Sequence, residues 1–502
     1  MISLRARTIA IIGGGPSGIV AAKYLRAEKA FDKIVVFEQR SVPGGIWNYT
    51  ADQKDEDLFT IPQTNAKGKH QNPLWLDQQS SGLNGESDGQ KRPKATASFL
   101  SPVYQNLETN IPRGLMGFQD LDWPQDSQLF PKHETVLRYI TDYGKEIQDL
   151  VQYETQVINV EAADHNVGGK WTVTTRNLRD HGSNNFKSEV FDAVIVANGH
   201  FIVPSLPDIP NVKEWNAKYP GVITHSKYFR KPEDFAGKKV VVIGNSASGV
   251  DISNQIVSVC QQPLLWSFRS ASMMKPPADA RKTDFPPIAR FLPDTRGVEF
   301  EDGRVETDID AVIFATGYFY SLPFLEKVEP ELIGDGSRVQ NTYQHIFYAP
   351  RPTLSFLVLN QRVIPFPMAE AQSSVIARVY SGRLSLPPYT EMRQWEEEAQ
   401  IENGSGKTFH LLPFPRDANF INEMSTWALT AERKEGLDNE GKGKIPPVWG
   451  EWEFWCRENF PAIRAAFGKR GAERHGIRTL EEVGFNFEEH VRRKDKEEGK
   501  LI

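Results

Sequence analysis

Cysteine is nearly absent: Cys260 and Cys456 are the only two among 502 residues. Far apart in sequence, they exclude a disulfide framework and point to a reducing compartment. They also exclude a dithiol–disulfide redox centre, which needs a neighbouring pair. Long apolar runs are missing too, with no unbroken stretch of about eighteen apolar residues that could cross a bilayer. The net charge of −6 offers no basic excess for nucleic acid or an acidic membrane surface. Met1 leads almost directly into an apolar strand, leaving no room for a signal or transit peptide, and the end of the chain from Lys494 to Ile502 is charged rather than anchor-like. A cytoplasmic protein without a membrane anchor is expected. No acid–base pair or metal-ligand cluster stands out, so no metal is expected.

Hydrophobic residues at 39% and charged residues at 25% are ordinary for a globular chain, and the length calls for more than one domain. The chain is organised around two glycine-rich turns. In the first, the apolar stretch Thr8–Ile12 runs into Gly13, Gly15 and Gly18, with a helix opening at Pro16 and Ser17. Gly13 permits a tight turn, Gly15 lets the backbone approach a pyrophosphate, and Gly18 lets the helix pack on its strand. The N–H groups at the helix start point at the phosphates. A second strand, Lys33–Phe37, ends in Glu38, twenty residues after Gly18, where an acid accepts the hydroxyls of a ribose.

The second turn repeats this arrangement with Gly244, Ser246, Ser248, Gly249 and Asp251 after the β-branched run Val240–Ile243. Ser246 stands where the middle glycine would be, and its small hydroxyl can itself donate to phosphate. The following strand, Pro263–Phe268, ends in Arg269 and Ser270, again twenty residues beyond the last glycine. An arginine there suits a 2′-phosphate by charge-assisted hydrogen bonding, where an acid suits a ribose diol. FAD is therefore expected on the first unit and NADPH on the second.

Between the turns, Gly44 and Gly45 are followed by Ile46 and Trp47: glycines that admit a flat ring close to the backbone, with an aromatic wall. The polar stretch of about 51–98 has no sustained periodicity and reads as a solvated loop rather than a lid, with Trp75 as its docking point. A helix is expected within Phe130–Ile140, strands at Thr155–Val160 (holding Val157), Lys170–Thr175 and Phe191–Val196. The proline-rich segment Val203–Pro210 marks a boundary. A strand before Thr316 and Gly317 closes the second unit, and Arg351–Leu359 returns the chain to the first sheet, followed by a helix from about Glu370. Trp427, Trp449, Trp452 and Trp455 are expected to pack terminal helices onto the core. The domains are expected at 1–211, 212–322 and 323–502, the first and last segments forming one FAD-binding domain.

Tyr219, Gly221, His225 and Phe229 follow the F-x-G-x-x-x-H-x-x-x-F/Y fingerprint of the flavin-containing monooxygenases, with Tyr at its first position. The run Phe314–Tyr318, Gly44–Trp47 and the pair Thr109–Asn110 add to the resemblance, which covers about 11–387 and is nearest to fungal members of that family. Related Baeyer–Villiger enzymes end the fingerprint in W-P or W-D, whereas this chain has Phe229–Arg230. The resemblance implies an α/β fold of two Rossmann-like domains in a glutathione-reductase-like architecture, the NADPH domain inserted into the FAD domain. It implies an FAD- and NADPH-dependent monooxygenase of the N,N-dimethylaniline monooxygenase type. Its partners are a small-molecule substrate and O₂, with self-association left open. In such enzymes NADPH reduces the flavin, and O₂ adds at C4a to give a hydroperoxide that oxygenates a nucleophilic sulfur or nitrogen, here of a thiol or a secondary-metabolite intermediate.

The resemblance also places Asn110 at the flavin as the catalytic side chain, an amide that donates and accepts without supplying an acidic proton. Its cofactor contacts are then Gly13, Gly15, Pro16, Ser17, Gly18, Glu38, Gly45, Ile46, Trp47, Thr109, Asn110 and Val157, with Gly244, Ser246, Ser248, Gly249, Asp251, Arg269 and Ser270 for NADPH. His225 reads as structural. Three alternatives stay open at this point: a Baeyer–Villiger oxygenase, an NADPH oxidase, and a non-catalytic NADPH sensor.

Overall fold

The computed structural model describes residues 1–51, 59–66, 69–77, 95–164, 169–179, 185–272, 274 and 278–497. Thr8–Ile12, apolar from Ile9 onward, and the wholly apolar Ala193–Val196 lie side by side at the centre of a seven-stranded sheet. Both faces of that sheet are covered, which is why these strands are continuous rather than alternating in hydrophobicity. The strand order is Thr342–Tyr343, Phe347–Tyr348, Leu354–Phe356, Ala193–Val196, Thr8–Ile12, Lys33–Phe37 and Val151–Gln152. Pairing is parallel from Leu354–Phe356 onward, so the strand expected at Arg351–Leu359 does return to the first sheet, shorter than expected. The helices Pro16–Ala27 and Pro365–Tyr380 cover one face, and the antiparallel excursion of Thr155–Ala162, Trp171–Asn177 and Phe186–Phe191 covers the other.

A second, all-parallel sheet is built wholly from residues 223–314, in the order Ile223–His225, Ala311–Phe314, Lys239–Ile243, Gln261–Ser267 and Lys282–Phe285. The chain passes between the sheets twice, and the two crossings pair with each other as short antiparallel strands, Val203–Pro204 with Tyr318–Phe319. Two doubly wound sheets, one inserted in the other, are the α/β architecture expected from the two turns.

Those turns are near copies. Gly13 and Gly244 take φ of 109° and 108°, and a Cβ on Gly18 or Gly249 would sit 1.9 or 2.1 Å from the carbonyl oxygen of its own turn glycine. Each helix therefore touches its turn backbone to backbone. Gly18→Ala is expected to cost about 1–3 kcal/mol by forcing the first helix off its strand and to yield protein depleted of flavin. Gly249→Ala is expected to keep its flavin and lose reduction by NADPH. Flavin absorbance per chain and anaerobic bleaching by NADPH distinguish the two.

The polar stretch holds more structure than its composition suggests. Leu74–Asp77 pairs antiparallel with Ala95–Ser98, and Trp75 docks on Phe99 and Leu178 as expected. Apolar and small residues at the two ends of a long polar run are enough to close this ladder. Phe59 packs 5.0 Å from Tyr228, and Ala66 is buried under the first sheet, so this part is not a solvated loop. The positions 52–58, 67–68 and 78–94 lie outside the described residues. The tryptophans of the tail pack as expected: Trp449 and Trp455 are buried, and Trp427 and Trp452 lean on the same core.

Candidate functional site

The first turn builds a cradle. Gly13 N–H donates to the Phe37 carbonyl at 2.9 Å, and Gly14 N–H donates to Glu38 Oε2 at 2.6 Å. Burial pushes the Glu38 carboxyl up, against the opposing pull of the backbone N–H groups of Arg40 and Gly14. Gly44 N–H donates to the Gly14 carbonyl at 3.0 Å, so the turn holding Gly45, Ile46 and Trp47 is stitched to the first turn. A Cβ built on Gly15 would meet only Gly45, at 3.7 Å, which leaves room for a phosphate over this backbone. Pro16 and Ser17 open the helix, whose first turn carries no acid to repel an anion. Val157 lies apart in the buried core with Phe37 and Phe191, on the strand whose Thr155 N–H donates to the Glu38 carbonyl.

The second turn presents Ser246 at the start of the helix Ala247–Ile256. Its hydroxyl is exposed and caps no backbone group. Gly244 N–H donates to the Ser267 carbonyl at 2.8 Å, and the Asn245 amide donates to the Ser270 carbonyl at 2.6 Å, fixing the strand end that carries Arg269. Arg269 is exposed and makes no hydrogen bond or ion pair among the described residues. A second cation, Lys407, comes from the distant C-terminal segment and lowers its pKa chiefly through burial, then through the charge of Arg269. Two cations close enough to repel one another suit an anionic ligand.

Between the units lies a cavity of about 1050 Å³. Trp47, Thr109 and Asn110 form its wall on the first unit, Ser248 and Asp251 on the second. The glycines of both turns, Glu38, Ile46, Val157, Ser246, Arg269 and Ser270 lie outside that wall. Thr109 is anchored, its hydroxyl donating to the Ile111 carbonyl at 2.9 Å. Asn110 is half-buried and makes no side-chain hydrogen bond among the described residues. It does not cap the short helix Arg113–Met116, whose cap position is Pro112. The amide is thus left for whatever fills the cavity.

His225 is structural. Its Nε2 donates to the Gly317 carbonyl at 3.0 Å, and its Nδ1 accepts from Lys227 N–H at 3.1 Å, which fixes a neutral ring. Burial drives its pKa down to about 3. The ring ties the end of the strand Ile223–His225 to the second interdomain crossing and offers no lone pair to a substrate.

Sequence reasoning missed the third wall. The helix Glu451–Gly468 contributes Arg464, and the following turn contributes Arg474 and His475. Buried Glu108, two residues before Asn110, accepts from Arg464 Nη2 and Arg474 Nε, both at 3.2 Å. No motif announces this contact, because the partners lie more than 350 residues apart. Arg230, which replaces the W-P or W-D ending of the Baeyer–Villiger fingerprint, is a clamp. It donates to the carbonyls of Val103 at 2.6 Å, Ser101 at 3.0 Å and Thr50 at 3.2 Å, and to that of Lys227. Arg230→Ala would strand these acceptors and is expected to cost about 3 kcal/mol, the upper range for hydrogen bonds to a charged group, read as a lowered melting temperature.

Two linked dinucleotide-binding sheets facing one cavity define a two-nucleotide oxidoreductase of the flavin type. The flavin-binding monooxygenase-like family matches residues 93–280 and 290–431, and an NAD(P)-binding Rossmann-like domain matches residues 11–75. The chain belongs to the flavin-binding monooxygenase-like family, whose cofactors are FAD and NADPH; the two cradles described above fit both.

Its relatives include flavin-containing monooxygenase ustF2 of Aspergillus flavus, 29% identical with 92% of this chain and 99% of that one covered. Flavin-containing monooxygenase FMO GS-OX-like 2 of Arabidopsis thaliana is 35% identical, with 84% of each chain covered. Among solved structures, the S-allyl-L-cysteine S-oxygenase of Allium sativum matches with a TM-score of 0.72 and 28% identity, covering 100% of both chains. No helix among the described residues is long and apolar enough to cross a membrane.

Proposed function

We propose that the protein is an NADPH- and O₂-dependent monooxygenase that oxygenates a nucleophilic sulfur or nitrogen of a small molecule. The observation that carries this reading is the shared cavity, where Trp47 and Asn110 of one nucleotide unit face Ser248 and Asp251 of the other across a single space. Bound there, the flavin supplies the two-electron activation of O₂ that no side chain can provide. The protein's own work is positioning and exclusion of water. The first cradle holds the adenosine end of FAD through Glu38 and the helix start, with Trp47 as a wall to the ring. Ser246, Arg269 and Lys407 take the phosphates of NADPH. Asn110 orients the reacting groups with an amide that has no proton to lose. Sulfur is favoured over nitrogen by the likeness to a protein described as an S-allyl-L-cysteine S-oxygenase. A cytoplasmic location is part of the proposal, in keeping with two buried, unpaired thiols.

The test is oxygen transfer with ¹⁸O₂. FAD-loaded protein is given NADPH and, in parallel, an S-alkyl cysteine, a tertiary amine and a cyclic ketone. One labelled oxygen in the sulfoxide or N-oxide per NADPH is the expected result. Labelled lactone would make the protein a Baeyer–Villiger oxygenase, and NADPH consumed with only peroxide formed would make it an oxidase. A chain that retains no flavin would be a nucleotide sensor.

A further inference from the structure

Tyr104 belongs by sequence to the first unit, yet its ring is 5% exposed within the core of the second. It packs among Phe229, Phe235, Val242 and Ile252, with its centroid 5.1 Å from that of Phe229. Phenylalanine would fill this space equally well. The hydroxyl is the part that needs explaining, and it donates to Oδ2 of Asp251 on the helix Ala247–Ile256 that opens at the second nucleotide turn. Gln255 donates to the same oxygen at 2.9 Å, one turn further along that helix. The other carboxylate oxygen accepts no hydrogen bond from the described residues, and Asp251 lines the cavity. Removing a tyrosine hydroxyl and a carboxylate from water carries a desolvation penalty that their mutual attraction need not recover. A pair of this kind fixes geometry more than it adds stability.

What it fixes follows from the chain. Tyr104 opens a loop seven residues long that ends at Asn110. Gln105 N–H donates to the Arg230 carbonyl at 3.0 Å, and Glu108 is held by Arg464 and Arg474. One end of the loop is therefore bound to the second nucleotide helix and the other to the C-terminal helix, with Asn110 between them and the cavity. We propose that Tyr104 and Asp251 form a latch between the two nucleotide units, holding the NADPH-binding helix in register with the loop that presents Asn110 to the flavin face. The inference rests on the assignment of NADPH to the second unit. Both are positioning residues; neither touches the reacting atoms.

The latch is tested by binding to the oxidised, FAD-loaded protein, without turnover. NADP⁺ affinity is measured by calorimetry, and the visible flavin spectrum is recorded as NADP⁺ is added. Tyr104→Phe keeps the ring in the core and removes only the donor. Asp251→Leu removes the acceptor. Tyr104→Phe and Asp251→Leu are each expected to weaken NADP⁺ by about tenfold, the worth of one hydrogen bond to a charged group, and to blunt the flavin spectral response while leaving flavin content unchanged. The double variant is expected to be no worse than either single. Unchanged NADP⁺ affinity and spectral response in both single variants would overturn the latch alone, as would losses that simply add. A parent chain that holds flavin but binds no NADP⁺ would overturn the functional reading and the latch with it.

Discussion

Asn110→Ala is expected to leave FAD bound and NADPH oxidation running while product formed per NADPH falls by about a hundredfold, the scale of one preorganised donor. The missing product should appear as hydrogen peroxide. The side chain is half-buried, lines the shared cavity and makes no hydrogen bond among the described residues, so its removal unfolds nothing. Its backbone is held independently, by Thr109 on one side and the proline-capped helix on the other. A stability effect beyond about 1 kcal/mol is therefore not expected for so lightly packed a group. Asn110→Asp should be worse than alanine, because a carboxylate brings a negative charge and a titratable proton to a site built around a neutral amide. Peroxide and product are measured against NADPH consumed, with the melting temperature as a control. Unchanged coupling in the alanine variant would remove Asn110 from the mechanism and leave Trp47 as the nearest candidate in the first wall.

The parts of this molecule legible in the sequence are those in which one residue type at one spacing answers a backbone demand. Gly13 and Gly18 are required by a turn and a helix that meet at contact distance, and the same demand recurs at Gly244 and Gly249. The apolar strands between covered faces, Thr8–Ile12 and Ala311–Phe314, are equally plain. Glu38 and Arg269 follow because both sit where a strand ends opposite its turn. Illegible parts depend on meetings that no local pattern encodes. Glu108 reads as one more surface acid until Arg464 and Arg474 close over it from the far end of the chain. Tyr104 reads as a core aromatic of the first unit, although it serves the core of the second. The hairpin at 74–77 and 95–98 is hidden by the polar tract between its strands. Lys407 is hidden most thoroughly, since a lone lysine after the glycine- and serine-rich stretch Gly404–Gly406 is ordinarily a solvated one.

That lysine makes the second large expectation sharper than sequence alone would allow. Arg269→Ala is expected to weaken NADPH by about 10- to 100-fold, the loss of a charge-assisted hydrogen bond at 1.5–3 kcal/mol, and to leave NADH unchanged. Adding Lys407→Met should deepen the loss toward a thousandfold and erase the preference between the two nucleotides. The argument is electrostatic. Lys407 is exposed as a residue, yet its ammonium donates to Ser205 Oγ at 3.1 Å, and partial desolvation there first, then the charge of Arg269, pulls its pKa below the ordinary lysine value. Asp335 opposes this only in part. Two cations that repel one another cost energy in the free protein, and a 2′-phosphate relieves that cost where a 2′-hydroxyl cannot. The sign of the linkage follows: because the free-state pKa is depressed, part of the Lys407 population is uncharged on the alkaline side, and phosphate binding raises the pKa again. NADPH binding should therefore take up protons at alkaline pH, while NADH binding should not, and both effects should disappear in Lys407→Met. Calorimetry in two buffers of different ionisation enthalpy reads the proton count directly. Equal losses for NADPH and NADH in Arg269→Ala would move the 2′-phosphate away from this strand end, and proton uptake that survives Lys407→Met would assign it to another group.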